Sequence, residues 1–152
     1  MKLSGALRTL LEFKKHALDV FLALGNHADP DVALSITDLV EEEREILAGI
    51  KTCIDRHGTG TPEANKETLD GLLSMEYFRE HASQTRLADR DAALDLAIQF
   101  EKDALLLFTE IWTLCPGEEC HTELQILITM EKKHLLRLLD MRKSTRVEQY
   151  SR

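Results

Sequence analysis

Glu43, Glu101, Glu131 and His134 are the residues of this chain best suited to holding a divalent cation, and they sit in two segments that nearly repeat. Leu11-Glu12-Phe13-Lys14-Lys15-His16-Ala17-Leu18 reads against Ile98-Gln99-Phe100-Glu101-Lys102-Asp103-Ala104-Leu105, with the phenylalanines, one lysine and the Ala-Leu pair in step. Glu43-Arg44-Glu45-Ile46-Leu47 reads against Glu131-Lys132-Lys133-His134-Leu135. Residues three apart share one face of a helix, so Glu131 and His134 can reach a common point. The second copy thus offers two carboxylates and an imidazole, whereas the first keeps Glu43 but has Lys14 and Ile46 in the corresponding places. Neither an ammonium nor an alkyl side chain can ligate a metal ion, so the chemistry predicted for the two halves differs.

Four helical segments must position these residues. Apolar residues recur at helical spacing from about Leu3 to Gly25, from Pro30 to about Arg56, from Asp89 or Asp91 to Leu114, and from Glu118 to about Met141. Asp29-Pro30 is a stop-and-restart signal, since Asp can cap the second helix and Pro suits its first position. Cys115-Pro116-Gly117 ends the third helix. His57-Gly58-Thr59-Gly60-Thr61-Pro62 is a loop without the Lys-Ser/Thr ending of a phosphate loop. The stretch Glu63–Arg86 is predicted to hold a short helix around Leu69–Phe78 that crosses over the end of the others. The pattern predicts an all-α, antiparallel four-helix bundle, made of two helical hairpins joined by a long crossover. It forms one domain over residues 1–145, with a flexible tail at 146–152.

Spacing also predicts which residues share a level. In a helical hairpin, two residues equidistant from the turn lie side by side. Lys14 and Glu43 are 29 positions apart, with their midpoint at Ala28–Asp29. Glu101 and Glu131 are 30 apart, with their midpoint at Pro116. Both midpoints fall on predicted turns, so Lys14, Glu43, Glu101 and Glu131 are expected in one layer.

Composition closes off other functions. The formal charge of −8 over 152 residues argues against a nucleic-acid surface or an anionic membrane surface. No apolar run approaches the ~20 residues of a membrane span, and no signal peptide is recognisable. Cys53, Cys115 and Cys120 form no C-x-x-C pair, which suits a reducing, cytoplasmic setting. Cys115 and Cys120 flank a turn and could form a regulatory disulfide. Glu41, Glu42 and Glu45 read as a solvated face, and His16, His27, His57, His81 and His121 as surface residues. Phe108, Trp112 and Met130 read as core. No Gly-x-Ser-x-Gly and no nucleotide loop are present.

Three segments resemble the ferritin-like superfamily, and within it the rubrerythrin-like di-iron-carboxylate branch. They are Ala97-Ile98-Gln99-Phe100-Glu101-Lys102-Asp103, Leu39-Val40-Glu41-Glu42-Glu43-Arg44-Glu45 and Met130-Glu131-Lys132-Lys133-His134. The helix order, the crossover and Asp29-Pro30 fit as well, and the resemblance covers roughly residues 3–142. Carried over, it implies metal ligands at Glu43, Glu101, Glu131 and His134. The family's helix-one Glu falls on Lys14 and its helix-two His on Ile46, and both of those ligands serve the same metal position. The other position is implied intact, on Glu101, Glu131 and His134 with Glu43 bridging. Lys14 is then the cationic replacement for the lost ion, holding Glu43 and Glu131. The chain lacks the C-x-x-C pairs of a rubredoxin domain, so a self-contained di-iron peroxidase is not implied.

Two functions are therefore expected as alternatives. One is a redox or iron-handling metal-binding protein with a partly lost di-iron site, holding one Fe (or Mn or Zn) per chain rather than two. The other is a metal-free helical interaction module that keeps the bundle without the chemistry. An external electron donor would be the redox partner of the first. Leu135, Leu136, Leu138 and Leu139 span more than one helix face, which suggests a homodimer.

Overall fold

In the computed structural model the chain is described at residues 2–26, 30–58, 67 and 90–150. Four long helices account for nearly all of it: α1 Leu3–Asn26, α2 Pro30–His57, α3 Arg90–Leu114 and α4 Glu118–Tyr150. No strand occurs among the described residues. The expected crossover helix at Leu69–Phe78 lies outside them, as do Asp29, His27 and His81.

The helix boundaries follow local chemistry. Pro30 opens α2, where its missing N–H would have had no partner. Cys115-Pro116-Gly117 separates α3 from α4, and Glu118 and Glu119 sit in the first turn of α4, where the helix dipole favours negative charge. α4 runs on past Arg146 to Tyr150. Residues 142–150 contain no Gly and no Pro, and Arg, Lys, Glu and Gln among them are good helix formers.

Each helix turns an apolar stripe inward. Leu7, Leu10, Phe13, Ala17, Val20 and Phe21 of α1 are buried, as are Ile36, Leu39, Ile46 and Ile50 of α2. Leu94, Ala97, Phe100, Ala104, Phe108 and Ile111 of α3 join them with Leu124 and Leu138 of α4. Each fully buried Leu, Ile or Phe contributes ~1.5–3 kcal/mol relative to exposure. Phe13 and Phe100, matched in the near-repeat, meet with ring centroids 5.4 Å apart. A Cβ at Gly49 would collide with the Leu127 side chain, so this glycine lets α2 and α4 approach closely.

Contacts between helices fix the register. Glu42 pairs with Arg137 at 2.6 Å, and Arg56 pairs with Glu123. Asp95 pairs with Arg142 at 2.8 Å, and Cys115 and Cys120 form a disulfide across the turn between α3 and α4. Trp112, expected in the core, is 38% exposed and lies against His121 with ring centroids 4.4 Å apart. It sits in the last turn of α3 on a face turned away from the core, whereas its neighbour Ile111 is fully buried. Leu34, also at an apolar position of the pattern, is exposed, whereas Phe108 is buried as expected.

Candidate metal centre

Lys14, Glu43, Glu101, Glu131 and His134 come one or two from each helix, and all five are fully buried. The layer predicted from the hairpin midpoints therefore exists in three dimensions. Lys14 points inward, to its centre. Its Nζ lies 2.8 Å from Glu43 Oε1 and 3.0 Å from Oε2. Glu101 Oε1 and Oε2 are at 3.1 and 2.9 Å, and both Glu131 oxygens are at 2.9 Å. The ammonium is thus caged by both oxygens of three carboxylates.

That cage has a definite size. Separations of 2.8–3.1 Å suit N⁺–H···O⁻ contacts. They are too long for a first-row metal, whose bonds to carboxylate oxygen are about 2.0–2.2 Å. The carboxylates have closed on an ammonium here, and Lys14 fills one cation position. It contacts Glu101 as well as the two carboxylates the resemblance implies for it. Three N–H donors cannot satisfy six oxygens one to one, and Glu43 Oε1, although close to Nζ, makes no hydrogen bond.

His134 lies against the same carboxylates. Its Nδ1 is 3.1 Å from Glu43 Oε2 and 3.8 Å from Glu101 Oε2, yet neither ring nitrogen makes a hydrogen bond. The Glu43 contact is close enough but badly aimed. Phe21 stacks on the imidazole, with centroids 4.9 Å apart and planes 17° from parallel. A buried imidazole with both nitrogens unpartnered costs roughly 1–3 kcal/mol per unmet group, and this calls for a ligand. One atom each from Glu43, Glu101, Glu131 and His134 lies within 4.8 Å of the others, so these four residues could hold a metal ion. About 3.4 Å is the ligand–ligand separation around a tetrahedral ion with bonds near 2.1 Å. The Nδ1 distances to Glu43 and Glu101 bracket it, whereas the 4.8 Å span of the whole set exceeds it, so the four donors would have to draw inward around an ion. Of those two carboxylates, Glu43, to which the resemblance gives a bridging role, is the nearer to Nδ1.

Ile46, where the resemblance has a second imidazole, is fully buried and apolar. It adds no donor beside Lys14.

Charge at this centre is unevenly shared. For Lys14, burial opposes the ammonium, but Glu101, Glu131 and Glu43 together raise its pKa well above the lysine range. Burial pushes the Glu101 carboxyl up, but Lys14 and a hydrogen bond from Glu131 more than reverse this, and its pKa is lowered. Glu131 is raised well above the carboxylate range, by burial first and then by the Glu101 charge. Of the three carboxyl groups, Glu131 is therefore the one whose surroundings most favour the protonated form.

This gives a pH signature for the metal-free protein. An acid whose folded pKa is raised stabilises the fold most below its unfolded value, near 4.5 for Glu131, and that contribution is lost as pH rises towards its folded value. Glu101, lowered, works the other way: its contribution is present above the same reference and lost below it. Stability without metal should therefore fall on both sides of a maximum in mildly acidic solution. Glu131→Gln should remove the decline on the neutral side, as followed by urea denaturation from pH 4 to 8 in the presence of chelator. An unchanged decline in that variant would refute the assignment.

Glu41 and Glu45 are exposed and Glu42 pairs at the surface with Arg137, as expected of a solvated face. Sequence reading missed a second polar group, at the far end of α2. His57 Nε2 lies 2.8 Å from Glu123 Oε2, and Cys53 Sγ lies 3.8 Å from the same oxygen. Burial and then the Glu123 charge push the Cys53 thiol up to about 11. His57, read as a surface residue, is mostly covered, with 13% of its side chain exposed. The Cys53-x-x-x-His57 spacing, which puts both on one helix face, was the available signal. Compared with protein families, with curated proteins and with solved structures, the chain matches none of them.

Proposed function

We propose that this chain is a ferritin-like, rubrerythrin-like metal-binding protein of redox or iron-handling type, in which Lys14 replaces one of two metal ions. The observation that carries this reading is the buried His134 imidazole, without a hydrogen bond, beside Glu43 and Glu101. The contact register supports the antiparallel arrangement. Along α2 from Glu42 to Arg56, the partners on α4 run backwards from Arg137 to Glu123. The pairs Asp95–Arg142 and Cys115–Cys120 run in opposite senses along α3 and α4. With α2 and α3 both antiparallel to α4, α2 and α3 would run parallel, as expected of two hairpins.

Glu43, Glu101, Glu131 and His134 would hold the ion. Three carboxylates and an imidazole suit Fe²⁺, Mn²⁺ or Zn²⁺. Iron would supply one-electron chemistry there, with reducing equivalents from an external donor. The protein's own part is to exclude water and to hold the second cation position permanently as Lys14. Leu136 and Leu139, 61% and 38% exposed, support a homodimer face on α4.

Elemental analysis of protein loaded with Fe²⁺, Mn²⁺ or Zn²⁺ tests the reading. One ion per chain is expected, lost in Glu101→Ala/His134→Ala. Two ions per chain would overturn it. Zero would favour the second reading, a metal-free interaction module, which the six Lys14–carboxylate contacts also support. No helix among the described residues is long and apolar enough to cross a membrane.

A further inference from the structure

His134 is sealed from solvent, and a ligand destined for it needs a way in. Cavities border the described helices in several places. One, of about 480 Å³, is lined by Lys102, Lys143 and the Asp95–Arg142 pair, and its two lysines disfavour a cation. A second, of about 200 Å³, lies beside Gly49, Cys53 and Arg56, roughly 15 Å along α2 from Glu43 at its far end. A third, of about 300 Å³, lies between α1 and α2 and is lined by Phe21, Gly25, Ile36 and Val40, with Glu41 and Arg44 at its rim. Glu41 and Arg44 pair at 3.1 Å and so cancel each other's charge. Phe21 belongs to both places: it lines this cavity and stacks on the His134 ring.

We propose that the cavity between α1 and α2 is the route by which a divalent cation reaches the buried cluster, and that Phe21 is its gate. The inference rests on the metal-binding reading above. A swing of the Phe21 ring off His134 joins the cavity to the imidazole without parting the helices. The ring offers its π face to the passing cation, a favourable contact in an apolar passage. When it swings back, the stack holds the His134 plane and the site is dry again.

Co²⁺, followed by its visible absorption, is a suitable probe, with a strong chelator withdrawing it from the loaded protein. Phe21→Ala should speed both uptake and withdrawal at least tenfold. Ala33→Phe, which narrows the cavity without touching Phe21, should slow both. Phe21→Ala also leaves a core cavity, so a control must loosen the bundle elsewhere. Ile111→Ala serves, being fully buried and ten residues along α3 from Glu101. If Ile111→Ala speeds exchange as much as Phe21→Ala, the ion enters by general opening and the gate is refuted. Unchanged rates in Phe21→Ala refute it too.

Failure of the metal reading is separable. If the wild-type chain takes up no Co²⁺, that reading falls, and with it the cation route. Carbethoxylation of His134 in metal-free protein, mapped by peptide, then judges the gate alone. Faster modification in Phe21→Ala than in Ile111→Ala upholds Phe21 as the barrier to His134, and equal rates refute it.

Discussion

Lys14→Met should destabilise the metal-free protein by about 3–5 kcal/mol, the cost of removing one partner from a buried ionic group. Methionine keeps the length and apolar stem of lysine, so packing changes little. What disappears is the only ammonium among three fully buried carboxylates, at 2.8–3.1 Å from their oxygens. The remaining charges must then take up protons or admit water. A domain of this kind has only ~5–15 kcal/mol of stability in total, so the variant should be marginal in chelator. Divalent ions should rescue it, because a ligand that binds only the folded state raises stability by mass action. Thermal melts of Lys14→Met with chelator and with millimolar Mn²⁺ or Zn²⁺ make the test. A melting temperature equal to that of the wild type in chelator would mean that Lys14 does not neutralise the centre. Strong destabilisation without metal rescue would mean that no ion can take its place.

The second large effect is a gain. Lys14→Glu/Ile46→His restores to α1 and α2 the carboxylate and imidazole that the family resemblance implies. Two ions per chain are expected at saturation in place of one. The double variant should depend on metal for folding, since four carboxylates would then share the buried layer with no cation of their own. Either change alone should fall short: Lys14→Glu lacks the imidazole, and Ile46→His leaves the ammonium in place. Elemental analysis of the double variant after loading and gel filtration is decisive. Binding that stays at one ion would show that Lys14 and Ile46 are not the residues that set the stoichiometry.

These two outcomes bear on one idea, that a side chain can hold a metal's place. An ammonium brings one positive charge and at most three hydrogen bonds, against two charges and four to six bonds for an ion. The shortfall is visible in the structure. Glu43 Oε1 goes without a hydrogen bond, and so do both His134 nitrogens. Each is what remains when one cation with directional donors serves a cluster built of three carboxylates and an imidazole.

What the sequence determined by itself was the length and order of the helices and the level of each polar residue. Both are one-dimensional. Apolar periodicity marks a helix wherever a stripe must be buried, and distance from a turn sets height in a hairpin. Lys14, Glu43, Glu101 and Glu131 could therefore be placed in one layer before any contact was known. Where the signal was weak the reading stopped short: α4 continues to Tyr150 although its apolar stripe ends near Met141. Only the tertiary structure decided where each side chain points around its helix axis and what it meets. Lys14 could have snorkelled to solvent, and in the fold it is fully buried. The pairing of His134 with Glu43 and Glu101, the Phe21 stack, the Cys115–Cys120 bond and the exposure of Trp112 belong to the same class. The reason is physical: rotation about an axis is set by mutual burial of four helices at once, and a spacing along one helix carries no record of its neighbours.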